Sequence, residues 1–315
     1  MLNALATRWI AAVLLLAAVG VPSSSSAADK VKVRAAYIPA VTWLPAWVAQ
    51  SKGFFAEEGL DVSMISVQNI SLLPSTLGKQ LDIAPATVID LIKAAAGGLN
   101  VVAVAGGHVD AEGHISNAII VGKDSGIKGV KDLAGKTVAT PTIGAILHVA
   151  LLHWLKQEGV DPNSIRAVEV PFPNMPDQLK AGRVDAAEAV NPFMMRMLAE
   201  GDISLGDQLL KIANPARSTV WIADREWAAA NAATLKKWSA ALEKANAFIE
   251  KHPDEARAVI GEYTKMPAAV IKSLPLPYYV VALEPKEIDV WIKVLEDLGQ
   301  LKKPVTGAGL MMVAK

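Results

Sequence analysis

The chain has 315 residues, and its 31 Lys+Arg balance 31 Asp+Glu for a net charge of +0. That balance supplies neither a basic field for nucleic acid nor an acidic tail, so no nucleic-acid partner is expected. With no cysteine, a disulfide scaffold, a thiolate metal site and a cysteine nucleophile are all excluded; a chain this long buries a core without staples and has room for about two domains.

In chain order, residues 1–28 read as a cleaved signal peptide. Arg8 gives the positive start, "WIAAVLLLAAVGV" is a short apolar run, and "SSSSAAD" offers small residues for cleavage. No later run is long enough to span a membrane. Without a cysteine there is no lipid anchor, so an outer membrane must retain the exported protein and a periplasmic location is expected.

"VKVRAAYI" alternates as a strand, and a "PAVT" turn leads to a helix from Trp43 to about Ser51, with Thr42 as N-cap and Pro45 tolerated in the first turn. "LDVSMISV" is a strand, "SLLPSTLGKQ" a helix and "LDIAPA" a short buried strand. Thr87 caps the helix "VIDLIKAAAGG", with Asp90 closing a capping-box variant. "NVVAVAGG" is another strand. The pattern then restarts with "KTVATP", the helix "GAILHVALLHWLKQEG", the strand "IRAVEVP", the helix "MPDQLKAG", the strand "VDAAEAV" and the helix "PFMMRMLAEG". "LGKQLDIA" and "AGRVDAA" echo each other at matching places, which suggests two similar lobes. After the strand in "STVWIADREW", amphipathic helices take over, with Leu235, Trp238, Leu242 and Ala245 as one apolar stripe. Strands alternating with helices predict the α/β class with mostly parallel sheets.

No nucleophile elbow, P-loop or dinucleotide fingerprint is present. His148 and His153 lie on different sides of one helix and cannot ligate one metal. The loop "HVDAEGH", with His108, Asp110, Glu112 and His114, is the best metal candidate; the expectation is a solvated loop and no metal. Glu169 and Glu188 could serve as acid/base groups, with a paired or capped carboxylate the favoured reading. What remains is four strand-to-helix turns, 39–43, 84–87, 140–145 and 191–193. Ligands of open α/β sheets bind where such helix N-termini converge.

"KGFFAEEGLDV", "IKGVKDLAGKTVATP", "LKQEGVDP", "LKAGRVDAAEAVNP" and "LPLPYYVVALEP" resemble, in order, the sulfonate/taurine/nitrate-type solute-binding proteins of ABC importers, a group that includes thiamine-precursor binders. The resemblance implies a type II periplasmic-binding-protein fold. One lobe would comprise 29–117 and 219–315 and the other 118–218, joined by crossing strands in "ISNAIIVGK" and "STVWIA". It implies a monomer that captures a small-molecule solute, closes around it and docks on an ABC permease in the inner membrane, with no catalysis and no cofactor. The ligand-binding residues expected are Pro39, Thr42, Trp43, Pro85, Thr87, Thr142, Gly144, Ala145, Ile146, Asn191, Phe193 and Trp221, with Trp47 in the core. Where relatives place hydroxyls, this chain has Ala145 and Ile146, and Asn191-Pro192 stands for their Glu-Pro. Those departures favour a small organic acid or heterocycle with an apolar body over nitrate or sulfate. The lobes are expected to share few contacts when empty. Rival readings are an enzyme on the same fold, such as a pyrimidine-precursor synthase, and a sensing adaptor for a membrane receptor.

Overall fold

The computed structural model describes residues 30–67 and 70–313; the expected signal peptide lies outside the described residues. Two sheets organise the chain. In the first, Val31–Tyr37 runs parallel to Leu60–Ser66. A bridge between Ala35 and Ile83, and a hydrogen bond from the Ala36 N–H to the Ile83 carbonyl at 3.1 Å, join this pair to Ala84–Thr87. Thr219–Asp224 then lies antiparallel between Ala84–Thr87 and Val101–Gly106. The second sheet orders its strands as Arg166–Glu169, Thr137–Thr140, Ala186–Val190, Asn117–Val121 and Ile203–Gly206. Its first three are parallel, and Asn117–Val121 is antiparallel to both neighbours. Both sheets thus share one order: second strand, first, third, an inverted strand arriving from the other half, then the last.

The echo between "LGKQLDIA" and "AGRVDAA" has a physical cause. Asp82 and Asp185 each sit just before the third strand of their sheet. The Asp82 carboxylate accepts the Arg34 N–H at 2.8 Å while its own N–H donates to the Arg34 carbonyl at 2.9 Å. Asp185 does the same with Thr137, at 2.8 Å in both directions. In both cases the aspartate lies 48 residues beyond its partner. A carboxylate stands in for a missing strand neighbour, so the first strand's N–H is not left unpaired.

Between the sheets, His108–Asp110 pairs antiparallel with Ala216–Arg217 and, on its other edge, with Tyr278–Tyr279. The crossing ladder therefore lies a few residues before "ISNAIIVGK" and "STVWIA"; Asn117–Val121 and Thr219–Asp224 are already built into their own sheets. Gly106 and Gly107 belong here for steric reasons. A Cβ on Gly106 would lie 2.4 Å from the Val280 carbonyl, and one on Gly107 2.5 Å from the Thr219 hydroxyl.

Three local expectations are corrected. A 3-10 turn at Val41–Trp43 precedes the helix Leu44–Ser51, and no side chain caps either, so Thr42 is not an N-cap. "SLLPSTLGKQ" is not an α-helix: its first six residues lie in the 3-10 segment Ile70–Thr76, with Pro74 inside it supplying no N–H, and 78–80 form a turn. The halves also share more contact than expected. The helix Ile146–Gln157 buries Ile146, Leu147, Val149 and Ala150 in one cluster with Val88, Ile89 and Ile92 of the helix Val88–Ala96 and with Trp291 of Pro285–Asp297. Lys93 adds a hydrogen bond to the Gly144 carbonyl at 2.7 Å, and Lys156 one to the Asp297 carbonyl. Apolar burial on that side holds the halves together without a ligand. Trp47 is core as expected, fully buried and stacked on Tyr263 with centroids 5.0 Å apart.

Replacing Asp185 by alanine leaves the Thr137 N–H without its acceptor. The expected cost is about 1–3 kcal/mol, read as a lower urea midpoint at unchanged slope. A midpoint equal to that of the parent protein would show that the carboxylate bridge is not needed.

Candidate functional site

A cavity of about 540 Å³ lies between the two halves, where the strand-to-helix turns meet. Of the twelve residues expected from sequence, Pro39, Thr42, Trp43, Thr87, Thr142, Ala145, Ile146, Asn191 and Phe193 all line it. The turns come from both sheets, so the cavity is defined only once the two halves are packed. An outer groove of about 1110 Å³ shares Pro39, Pro192, Phe193 and Met266 with it and opens it towards solvent.

Three expected residues lie elsewhere. Trp221 is 2% exposed and packs edge-on between Trp43 and Trp238, at 5.1 and 5.2 Å, inside the first core. It borders only a void of about 10 Å³. Pro85 is buried in its strand opposite Trp221. Gly144 has both backbone groups engaged: its N–H donates to His148 Nδ1 at 2.9 Å and its carbonyl takes the Lys93 ammonium. Its φ of +80° lets the chain turn into the helix Ile146–Gln157, a conformation that a side chain would strain. Trp43 is only 2% exposed, so it supplies an edge of wall rather than a free ring.

The two long helices that begin at the cavity differ at their N-termini. At Val88–Ala96, Thr87 and Asp90 form a complete capping box. The Thr87 hydroxyl donates to Asp90 Oδ2 at 2.6 Å and accepts from the Asp90 N–H at 3.1 Å. Ser71 donates to the other Asp90 oxygen at 2.9 Å. This N-terminus holds its own carboxylate and has no vacancy for a ligand's anion. At Ile146–Gln157 no side chain caps the helix, and the preceding Ile143 N–H is taken by Glu169 Oε1 at 2.9 Å. Glu169 is thus a capped carboxylate.

The floor was not foreseen. His108 and Asp110, expected in a solvated loop, are 1% and 0% exposed and line the cavity together with Ser116, Asn117, Ser218 and Thr219. Asp110 Oδ1 accepts from Ser116 Oγ at 2.6 Å and from Asn117 Nδ2 at 2.9 Å; the same Asn117 amide reaches Asp207 Oδ2 at 3.3 Å. Burial raises both carboxyls above their usual range, and the Asp110 charge raises Asp207 further. His108 Nδ1 lies 2.8 Å from Ser218 Oγ and 3.5 Å from Asp110 Oδ2. Burial, with the Arg217 charge nearby, holds His108 down to about 3, so the ring is neutral. Among the buried atoms of cavity-lining residues, His108 Nε2, Asn117 Oδ1 and Asn191 Oδ1 lack a protein hydrogen bond, while Asp110 also has the Ser218 hydroxyl beside it. The sequence signal was slight: an apolar strand that ends in His-Val-Asp, placing two polar side chains on one face. His114 instead stacks on Tyr278 at 5.3 Å. Among the described residues, no group of three or more His, Cys, Asp or Glu could hold a metal ion.

Two sheets of this order, joined by a crossing ladder and enclosing a cavity at their turns, define a type II periplasmic-binding-protein fold. The chain belongs to the NMT1/THI5-like family, whose model matches residues 41–256. A protein of Brachyspira hyodysenteriae named "Putative ABC transporter periplasmic binding protein" is 27% identical over 271 residues, covering 81% of this chain and 76% of that one. The 4-amino-5-hydroxymethyl-2-methylpyrimidine phosphate synthase THI13 of Saccharomyces cerevisiae is 23% identical over 242 residues, covering 72% and 69%. Among solved structures, the periplasmic aliphatic sulphonate binding protein SsuA of Escherichia coli superposes with a TM-score of 0.76 at 20% identity, covering 90% of this chain and 92% of that one.

Glu188 lies beneath the cavity, 0% exposed, accepting from Thr140 Oγ1 at 2.5 Å. Burial pushes it up to about 8 from its usual 4.5. The folded protein keeps this proton over a range in which the unfolded chain releases it. The associated stability is full below about pH 4.5 and is lost as pH rises through about 8. Glu188→Gln is expected to raise the melting temperature at pH 8 and to flatten its decline between pH 4.5 and 8. An unchanged pH profile of the variant would remove Glu188 as the source of that slope.

Proposed function

We propose that this protein is the solute-binding component of an ABC importer. It is exported to the periplasm, captures a small organic solute in the interlobe cavity as a monomer, and delivers it to a permease in the inner membrane. It changes no bond in that solute. The observation that carries this reading is the cavity itself: about 540 Å³ where the strand-to-helix turns of the two halves meet. The volume falls inside the range of about 300–1,000 Å³ common for small-molecule sites. The naming of the Brachyspira relative supports the transport role.

The walls favour an organic body. Trp43, Ile146, Leu147, Phe172, Phe193 and Met266 line the cavity, and apolar burial contributes about 25 cal/mol per Å². Nitrate or sulfate gains nothing from such walls, and its desolvation needs donors. The groove between Phe193 and Met195 on one side and Met266 and Pro267 on the other is the entrance. The opposite side is already fastened by the helix Ile146–Gln157. Closure is therefore a hinge motion at the mouth, about the ladder of His108–Asp110 and Ala216–Arg217.

Native mass spectrometry of freshly purified protein is expected to find an organic molecule that leaves on denaturation. Small-angle scattering with that molecule added back to stripped protein is expected to show a smaller radius of gyration. An unchanged radius at saturation counts against closure, and a bound species that is chemically converted during incubation counts against a pure binding role.

A further inference from the structure

We infer that Asp110, Asn117 and Asp207 form a proton-operated joint between the two halves: a proton held by the two carboxyls keeps the joint fastened, and its loss loosens the hinge. The inference concerns the empty protein and does not depend on which solute the cavity takes.

The three residues come from three places that meet beside the crossing ladder. Asp110 ends the ladder strand His108–Asp110. Asn117 opens the strand Asn117–Val121 of the second sheet, and Asp207 follows that sheet's edge strand, Ile203–Gly206. One nitrogen links them: Asn117 Nδ2 donates to Asp110 Oδ1 at 2.9 Å and to Asp207 Oδ2 at 3.3 Å. The other donors are also neutral. Ser116 Oγ donates to Asp110 at 2.6 Å, and the Leu209 and Leu210 N–H groups donate to Asp207 Oδ1 at 2.7 and 3.3 Å. Asp110 is 0% and Asp207 5% exposed. Two carboxylates on one amide, out of water and without a bonded cation, do not both ionise readily, so the pair titrates as a unit.

The charged and titratable groups on the elements around the pair are engaged elsewhere. On the ladder, Arg217 donates to the carbonyls of Gly107, Val280 and Ala282 and to Glu287. Burial keeps His108 neutral, Tyr278 stacks on His114, and the Tyr279 hydroxyl donates to the Val41 carbonyl. Asp224, on the strand packed behind the ladder, caps the helix Arg225–Ala230. Beside Asp207, Lys211 lies over the Trp154 ring at 4.8 Å, and on the helix Ile146–Gln157 Lys156 donates to the Asp297 carbonyl. Burial lowers both histidines of that helix, His148 and His153. On the neighbouring strand Glu188 is bonded to Thr140, and on the helix Phe193–Ala199 Arg196 pairs with Asp177 and Glu200. Asp202 and Lys123 face each other at the opposite end of the strands.

Burial raises Asp110 to about 6 and, with the Asp110 charge added, Asp207 to about 7. The folded protein therefore keeps protons that the unfolded chain, with carboxyls at the ordinary 3.8, releases. The stability they contribute is full below about pH 3.8 and is lost as pH rises through about 6 and 7. Once both carboxyls are charged they repel across the shared amide. Asp207 then parts from Asn117, and the bond between the ladder and the second sheet opens.

The test runs without ligand in a Glu188→Gln background, so that the titration of Glu188 does not contribute. Carbon-13 carboxyl spectra of aspartate-labelled protein are expected to show two resonances that titrate together between about pH 5 and 8. Over the same range, amide protection in 116–121 and 203–212, corrected for intrinsic exchange, is expected to fall about tenfold, and the radius of gyration to grow. Asp110→Asn keeps the Oδ1 acceptor; it is expected to move the Asp207 resonance to lower pH and to hold protection and radius constant. Should that variant fail to fold, Asp207→Asn is expected to remove the same pH dependence. Two carboxyls that titrate independently below about pH 5 overturn the proposal. Protection or a radius that does not change with pH, or a change that persists in the variant, overturns it too. No solute enters these measurements, so the joint and the solute-binding reading can fail separately.

Discussion

The arrangement turns on one buried guanidinium. Arg217 is 2% exposed, on the second crossing strand. It donates to the carbonyls of Gly107, Val280 and Ala282 at 3.0, 2.7 and 2.7 Å and to Glu287 at 2.9 and 3.1 Å. Its own carbonyl accepts from Trp291 Nε1 at 2.8 Å. Five directed donors in a fixed plane suit this task; a lysine ammonium could not bridge the same three chain segments. Glycine at 106 is a condition of that geometry, because a Cβ there would lie 2.7 Å from the guanidinium as well as against Val280. The crossing ladder, the connector after residue 274 and the helix Pro285–Asp297 are thereby tied into one unit around which the mouth can move.

That choice shapes the cavity floor. Burial, with the charge of Arg217 nearby, keeps His108 neutral, so the floor carries no second cation. On the same strand Asp110 is held by Ser116 and Asn117, and Asn117 connects it to Asp207. The wall opposite is apolar, with Ala145 and Ile146 at the start of the helix Ile146–Gln157.

Much of the site was legible locally. The turns at 39–43, 84–87 and 191–193 could be found because a proline, in two of them with a threonine, punctuates the chain where a strand yields to a helix. The Thr87–Asp90 box is a contact three residues long, and its parts are adjacent in sequence. The error at Thr42 was of the same scale: a 3-10 turn takes the place of the helix start, and hydroxyl spacing alone does not tell the two apart. The repeat around Asp82 and Asp185 was visible as an echo, but its cause, an aspartate bonded to a strand 48 residues earlier, was not.

By itself the sequence determined the α/β alternation, the position of the turns and the stripe of the helix Ala232–Lys251, because each depends on neighbours within a few residues. Only the tertiary structure decided which polar groups end up facing one another. His108 meets Ser218 across 110 positions, Asn117 meets Asp207 across 90, and Arg217 meets Glu287 across 70. Those pairings follow from the crossing ladder and not from local propensity. They turned an apparent surface loop into the cavity floor.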